Sequence, residues 1–242
     1  MKKYTSAFIF GIAIMASAYL LGNAYVKRAE APRTISVTGL GNEDFTSDLI
    51  VWDGTFSSFS SDLKTAFDKL NEDKNTIADY LVSKGIKRDD IIFNSVNTSE
   101  RRESNYLNGS YVGSTFRGYD LSQSFTIESK NVNDIEKISR EVTELLNKGL
   151  QLTSQPPRYY YTKLADLKIE MISKATEDAR VRAEKIAKNG GSNLGKLKSA
   201  SMGVFQITGQ NTSEEYSWGG TYNTIDKNKT ASITMRLVYE ID

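Results

Sequence analysis

Leu164, Leu167, Met171, Ala175, Ala179, Ala183 and Ile186 follow one another at spacings of three or four, the period of a helix with a single apolar face. Alanines occupy the middle of that face, so the helix is suited to lie close on a sheet. The charged residues of the same stretch, Glu177, Asp178, Arg180, Arg182, Glu184 and Lys185, mostly take the other faces. Asp178 and Arg182 stand at i, i+4, a pairing that stabilises a helix by a few tenths of a kcal/mol. A solvated face accounts for these charges without catalysis.

The helix runs into Gly190-Gly191-Ser192-Asn193-Leu194-Gly195. A phosphate cradle needs its glycines before a helix, where free N–H groups and the positive end of the dipole lie. Here they come after it. Gly190 or Gly191 supplies a left-handed C-cap, Lys185 and Lys188 suit the negative end of the dipole, and Gly195 turns the chain into a strand over Lys196–Ile207.

Elsewhere strands and helices alternate in two rounds. Thr34–Gly39 and Leu49–Phe59 have strand alternation, with a turn expected over Gly39–Glu43. A Gly-x-Gly after a strand suggests a dinucleotide site, but the third glycine is missing and a strand follows. Ser61 or Asp62 caps a helix over Leu63–Lys84, with Phe67, Leu70, Ile77 and Leu81 inward and Gly85 at its end. A strand over Ile91–Val96 precedes the polar stretch Asn97–Gly113, expected as a hairpin connection or mobile loop, and Tyr119–Glu128 alternates again. In the second round a helix spans Val132–Asn147 through Ile135, Ile138, Val142 and Leu145. Leu150–Thr162 is extended around Pro156-Pro157, and a polar loop over Gly209–Thr224 precedes a last strand at Thr230–Ile241. These two strand–helix–strand cycles indicate an α+β fold, a mixed or antiparallel sheet with helices packed on one face. Arg33–Asp242 is expected to form one unit, with the option of a protruding subdomain formed by the polar loops.

Ahead of it, Lys2 and Lys3 precede an uncharged apolar run from Tyr4 to Leu21, and Lys27-Arg28 follow. The pattern is an export signal over residues 1–26, either cleaved after Gly22-Asn23-Ala24 or retained as an inner-membrane anchor over residues 4–22. Everything beyond Val26 then lies outside the cytoplasm, in the periplasm or envelope.

The chain lacks both Cys and His, which removes thiol nucleophiles, imidazole bases and the commonest metal ligands. No cofactor, metal or catalytic residue is assigned. Lys and Arg total 31 against 30 Asp and Glu, so no basic surplus argues for a nucleic-acid partner. Three clusters still merit a functional reading: Ser61 with Lys64 at Ser-x-x-Lys spacing, Tyr159-Tyr160-Tyr161 beside Arg158, and Tyr216 with Trp218–Tyr222 in a polar loop. For each, a structural role is the simpler account: a helix cap, sheet packing, and a loop folded on its own aromatics.

Ile35–Gly41, Thr76–Leu81 with Gly85-Ile86 and Asp90-Ile91, Gly118-Tyr119, and Asp178-Ala179-Arg180 with Ala183-Glu184 and Gly191–Gly195 together resemble the ordered landmarks of the SIMPL-domain family. The resemblance implies an exported bacterial envelope protein of α+β fold that forms homo-oligomers. Some members are linked to stress protection, and the family has no established enzymatic activity and no agreed catalytic residues to carry over. Two other readings stand beside it: a module binding a small molecule or cell-wall component through its aromatic loops, and a Ser/Lys or carboxylate hydrolase.

Overall fold

The computed structural model describes residues 2–29 and 33–242. In chain order the elements are α1 (Lys2–Ala29), β1 (Thr34–Thr46), β2 (Leu49–Ser60), α2 (Leu63–Ser83), β3 (Ile91–Phe93), β4 (Asn97–Leu107), β5 (Ser110–Ser129), α3 (Val132–Glu141), β6 (Gln151–Ser154), β7 (Arg158–Tyr160), α4 (Leu164–Asn189), β8 (Leu194–Met202), β9 (Gln206–Gly209) and β10 (Asn228–Ile241). This is the α+β architecture expected, with antiparallel strand pairing and helices on the sheets. Two compact units share the chain: one holds 1–41, 172–203 and 233–242, the other 42–171 and 204–232.

In the first unit, no residue of Phe8–Tyr25 within α1 is buried, and this stretch is long and apolar enough to cross a membrane. β10 pairs antiparallel with β8, from Met235 opposite Met202 to Ile241 opposite Leu194. Ala175, Ala179, Ala183 and Ala187 of α4 are buried, while Ile186 is 54% exposed. The buried face thus keeps advancing by four residues, about 40° further round the helix at each step, and passes from Ala183 to Ala187 instead of returning at Ile186.

β1 shows what the alanines are for. A Cβ on Gly39 would lie 2.2 Å from the Ala175 carbonyl oxygen and 2.4 Å from the Ala179 nitrogen, so only glycine lets strand and helix come this close. The turn expected at Gly39–Glu43 is therefore absent. Val37, Gly39 and Gly41 are the buried members of a two-residue alternation, and β1 continues through them to Thr46.

The stop after α4 is a Schellman motif. Ser192 N–H donates to the Ala187 carbonyl at 2.9 Å, Gly191 N–H donates to that of Lys188 at 3.2 Å, and Gly191 takes the left-handed conformation at φ 76°. The strand expected over Lys196–Ile207 is two strands, β8 and β9, interrupted where Gly203 N–H turns to the Thr234 carbonyl.

The second unit is built on β2, which pairs along one edge with β5 and along the other with β6 and β7, while β3 adds to β5. Ile50, Trp52 and Phe56 from β2, Leu121, Phe125 and Ile127 from β5, and Leu70, Ile77 and Leu81 from α2 form its core with Ile135, Ile138, Val142 and Leu145. Asp62, not Ser61, caps α2, its carboxylate accepting from Thr65 N–H at 2.8 Å. Phe67 is not an inward residue: Ala66 takes the buried position beside it and Phe67 is 45% exposed. The helix expected over Val132–Asn147 is α-helical only to Glu141 and tightens to a 3-10 turn over Val142–Lys148.

The largest departure is at Asn97–Gly113. The strand expected to reach Val96 stops at Phe93, and the polar stretch is itself a strand, β4, paired with the outer part of β5 from Asn97 opposite Ser122 to Leu107 opposite Ser110, with register shifts after Arg101 and Asn105. Asn108 and Gly109, at φ 51° and 80°, form the two-residue link that matches the twist of a hairpin.

Candidate interaction surface

β4 is exposed at all of its residues, and among the described residues the part of β5 beyond Gly118 pairs with β4 alone. The hairpin arm therefore has no core of its own. Its inner half is held by charge: Arg101 donates to Asp120 at 2.7 Å, Arg102 pairs with Glu100 at 3.0 Å, and Arg117 donates to Glu103 at 2.6 Å. Arg101 also lies 4.3 Å over the Phe59 ring. Past these pairs the chemistry changes. No charge occurs from Ser104 to Phe116, and Tyr106, Leu107, Tyr111 and Val112 are all exposed around the turn. Tyr106 and Tyr111 face each other across the strands with ring centroids 6.0 Å apart.

Near the root of the arm lies an open groove of about 560 Å³. Leu63 and Phe67 of α2, with Val96 and Thr98, form its walls, and Leu121 its floor. Its rim charges are already matched: Lys64 pairs with Asp68 at 2.6 Å, and Asp62 is occupied by Thr65.

The three clusters singled out in the sequence take different places. Lys64 turns along the helix to Asp68, whose hydrogen bond raises its pKa. Tyr159 is buried in the core, Tyr160 pairs with Leu49 within the sheet, Tyr161 packs tilted against Phe45 with ring centroids 4.8 Å apart, and the Arg158 guanidinium pairs with Asp53 at 2.5 Å. That run is sheet, not a free surface. Trp218, in contrast, is 100% exposed. Buried Gln206 fixes its loop from below, accepting from Thr221 N–H at 2.7 Å and donating to the Ser217 carbonyl at 2.8 Å. Beside it Val204, Phe205, Thr221 and Tyr222 line a cavity of about 290 Å³.

The rest of that loop is anchored by a buried cation. Lys229 is 1% exposed and donates to the carbonyl and side-chain oxygens of Asn223. Asn223 in turn donates to Glu214 and Asp226, each at 2.9 Å. Burial lowers the Lys229 pKa to about 8, against the opposing pull of Asp226 and Glu214.

The sequence allowed a protruding subdomain of polar loops but did not show that Asn97–Leu107 is itself a paired strand, although Asn108-Gly109 is the short-range signal that marks such hairpins. The landmarks that carried the resemblance do meet: Gly39 and Leu40 of the first sit against Ala179 and Asp178 of the last, with Leu40 N–H donating to the Asp178 carboxylate at 2.8 Å. A family model described as SIMPL, a protein of unknown function (DUF541), matches residues 35–237. The chain belongs to the SIMPL family. No curated protein matches it. The SIMPL match takes in the arm, the groove and the Trp218 loop, so all three lie within the family region.

Proposed function

We propose that this SIMPL chain is an exported envelope protein without catalytic function that works by self-association, either held at the inner membrane by α1 or released from it. The carrying observation is the arm: an uncovered two-stranded ribbon is at best marginally stable in water, and one ending in exposed tyrosines and aliphatics suits a contact surface. Export is supported by the basic start and the apolar α1. A role in stress protection, which the family resemblance implies for some members, would be exerted through the assembly. The full chain in detergent, measured by light scattering after size exclusion over a range of concentrations, should have the mass of more than one chain. A phosphatase fused after Asp242 should be active; an inactive phosphatase with an active cytoplasmic reporter would show that the topology is wrong.

A second reading has one observation in its favour, the fully exposed Trp218 in a loop held by Gln206 next to a cavity lined by Val204, Phe205 and Tyr222. It is binding of a small molecule or cell-wall fragment, detectable as a ligand-dependent rise in melting temperature that Trp218→Ala removes.

A further inference from the structure

The second unit exposes two apolar features of matching chemistry, the uncharged tip of the β4–β5 arm and the groove at the arm's root. We infer that the tip of one chain seats in the Leu63–Phe67 groove of a second copy. The inference rests on the self-association proposed above and adds the surfaces that make it.

A chain cannot fill its own groove. Thr98 lines the groove and Leu107 ends β4, and the extended strand between them separates groove from tip by about 30 Å at ~3.3 Å per residue. Pairing with β5 along that whole length prevents the arm from folding back. The occupant must come from outside.

Both partners are ready to lose water. The tip carries no charge to desolvate, and at the groove's rim Lys64 is paired with Asp68 while the Asp62 carboxylate is held by Thr65 N–H. Tyr106, Leu107, Tyr111 and Val112 offer apolar area against Leu63, Phe67 and Val96. A lipid bilayer would cover the tip but leave the groove open. A second copy covers both.

The contact also has a size. One tip in one groove buries on the order of several hundred Å², short of the ~1,200–2,000 Å² of a stable interface. Each chain, however, has both a tip to give and a groove to fill, so the contact is made twice per chain, by mutual exchange in a pair or round a closed ring.

The chain has no cysteine, so thiols can be placed at will. The full chain carrying Tyr111→Cys and Phe67→Cys, treated with a mild oxidant in detergent, should form disulfide-linked species larger than one chain, while each single variant should not. Disulfide Cα atoms must lie within about 7 Å, so with tip and groove so far apart in one chain the link has to join two. Cross-linking by Tyr111→Cys alone would show tips pairing with tips and overturn the inference. No cross-link in the double variant, with an oligomer still seen by light scattering, would overturn the tip-in-groove contact and leave self-association standing. A wild-type chain that is single at every concentration would overturn both. Leu107→Asp, which alters no core contact, should weaken association at least tenfold with the melting temperature unchanged; an unchanged association constant would refute the contact. If a fluorophore on Tyr111→Cys reports entry into lipid in vesicles that hold single chains, the tip belongs to the bilayer and the inference fails.

Discussion

Leu40 and Asp178 lie 138 residues apart in the chain, yet the Leu40 N–H donates directly to the Asp178 carboxylate at 2.8 Å. This bond, first among the causes, and the neighbouring Arg182 hold the Asp178 pKa below the ordinary carboxylate value. The stabilisation is therefore present above the unfolded pKa and is lost as pH falls through the folded one. Asp178→Ala should cost about 1 kcal/mol at neutral pH, and the gap between variant and wild type should close as the pH of a urea titration is lowered below about 4.

One residue earlier, the fit is steric. Gly39→Ala would drive a Cβ into the backbone of α4 and should destabilise by about 3 kcal/mol, with the loss read as a lower denaturant midpoint at unchanged slope. A neutral result would show that strand and helix can move apart.

On the other side of the same contact, Ala179→Leu should overpack by about 1–3 kcal/mol. Arg180, exposed and paired with Glu177 at 2.8 Å, should tolerate alanine at a cost of no more than about 0.5 kcal/mol. Equal costs at the two positions would mean that α4 presents a different face.

Lys229 makes stability change with pH in the same direction as Asp178, but in an alkaline window. Its folded pKa of about 8 lies below the unfolded value, so between pH 8 and about 10.4 the unfolded chain binds more protons and this residue makes stability rise with pH. Lys229→Met should flatten that part of the wild-type profile, as read from the difference between melting curves of the two proteins. Parallel profiles would place the ammonium in water.

The two tryptophans report on different environments. Trp52 is buried and donates to Ser154 at 3.0 Å, whereas Trp218 is fully exposed. Iodide should quench only part of the fluorescence, and Trp218→Phe should leave a blue-shifted emission that iodide does not reach. Residual quenching in that variant would show that the core admits solvent.

Much of this architecture was legible because burial imposes a period. The inward residues Ile135, Ile138, Val142 and Leu145 follow from spacing alone, and the helix stop before Ser192 follows from Gly190-Gly191. The misreadings came where glycine or polarity carried two meanings. Gly39 and Gly41 look like a turn in sequence because nothing local reveals that a helix arriving from residue 175 onward needs their missing side chains. β4 looks like a loop because alternation signals a strand only when one face is buried, and here neither is. The groove was hidden for a related reason: Phe67 fits the helical period nearly as well as Ala66, and only the position of the sheet decides which of the two is covered.

β5 is a single strand of 20 residues whose outer part forms the arm and whose inner part is laddered to β2 from Ser60 to Ile50. Ladder bonds run across the strands, so a pull at the tip directed along β5 loads them together in shear instead of opening them one by one. The arm is thus a rod embedded in the core. Tension taken up at Tyr111 would be shared along the length of β2, which gives this unit the mechanical form of a tie.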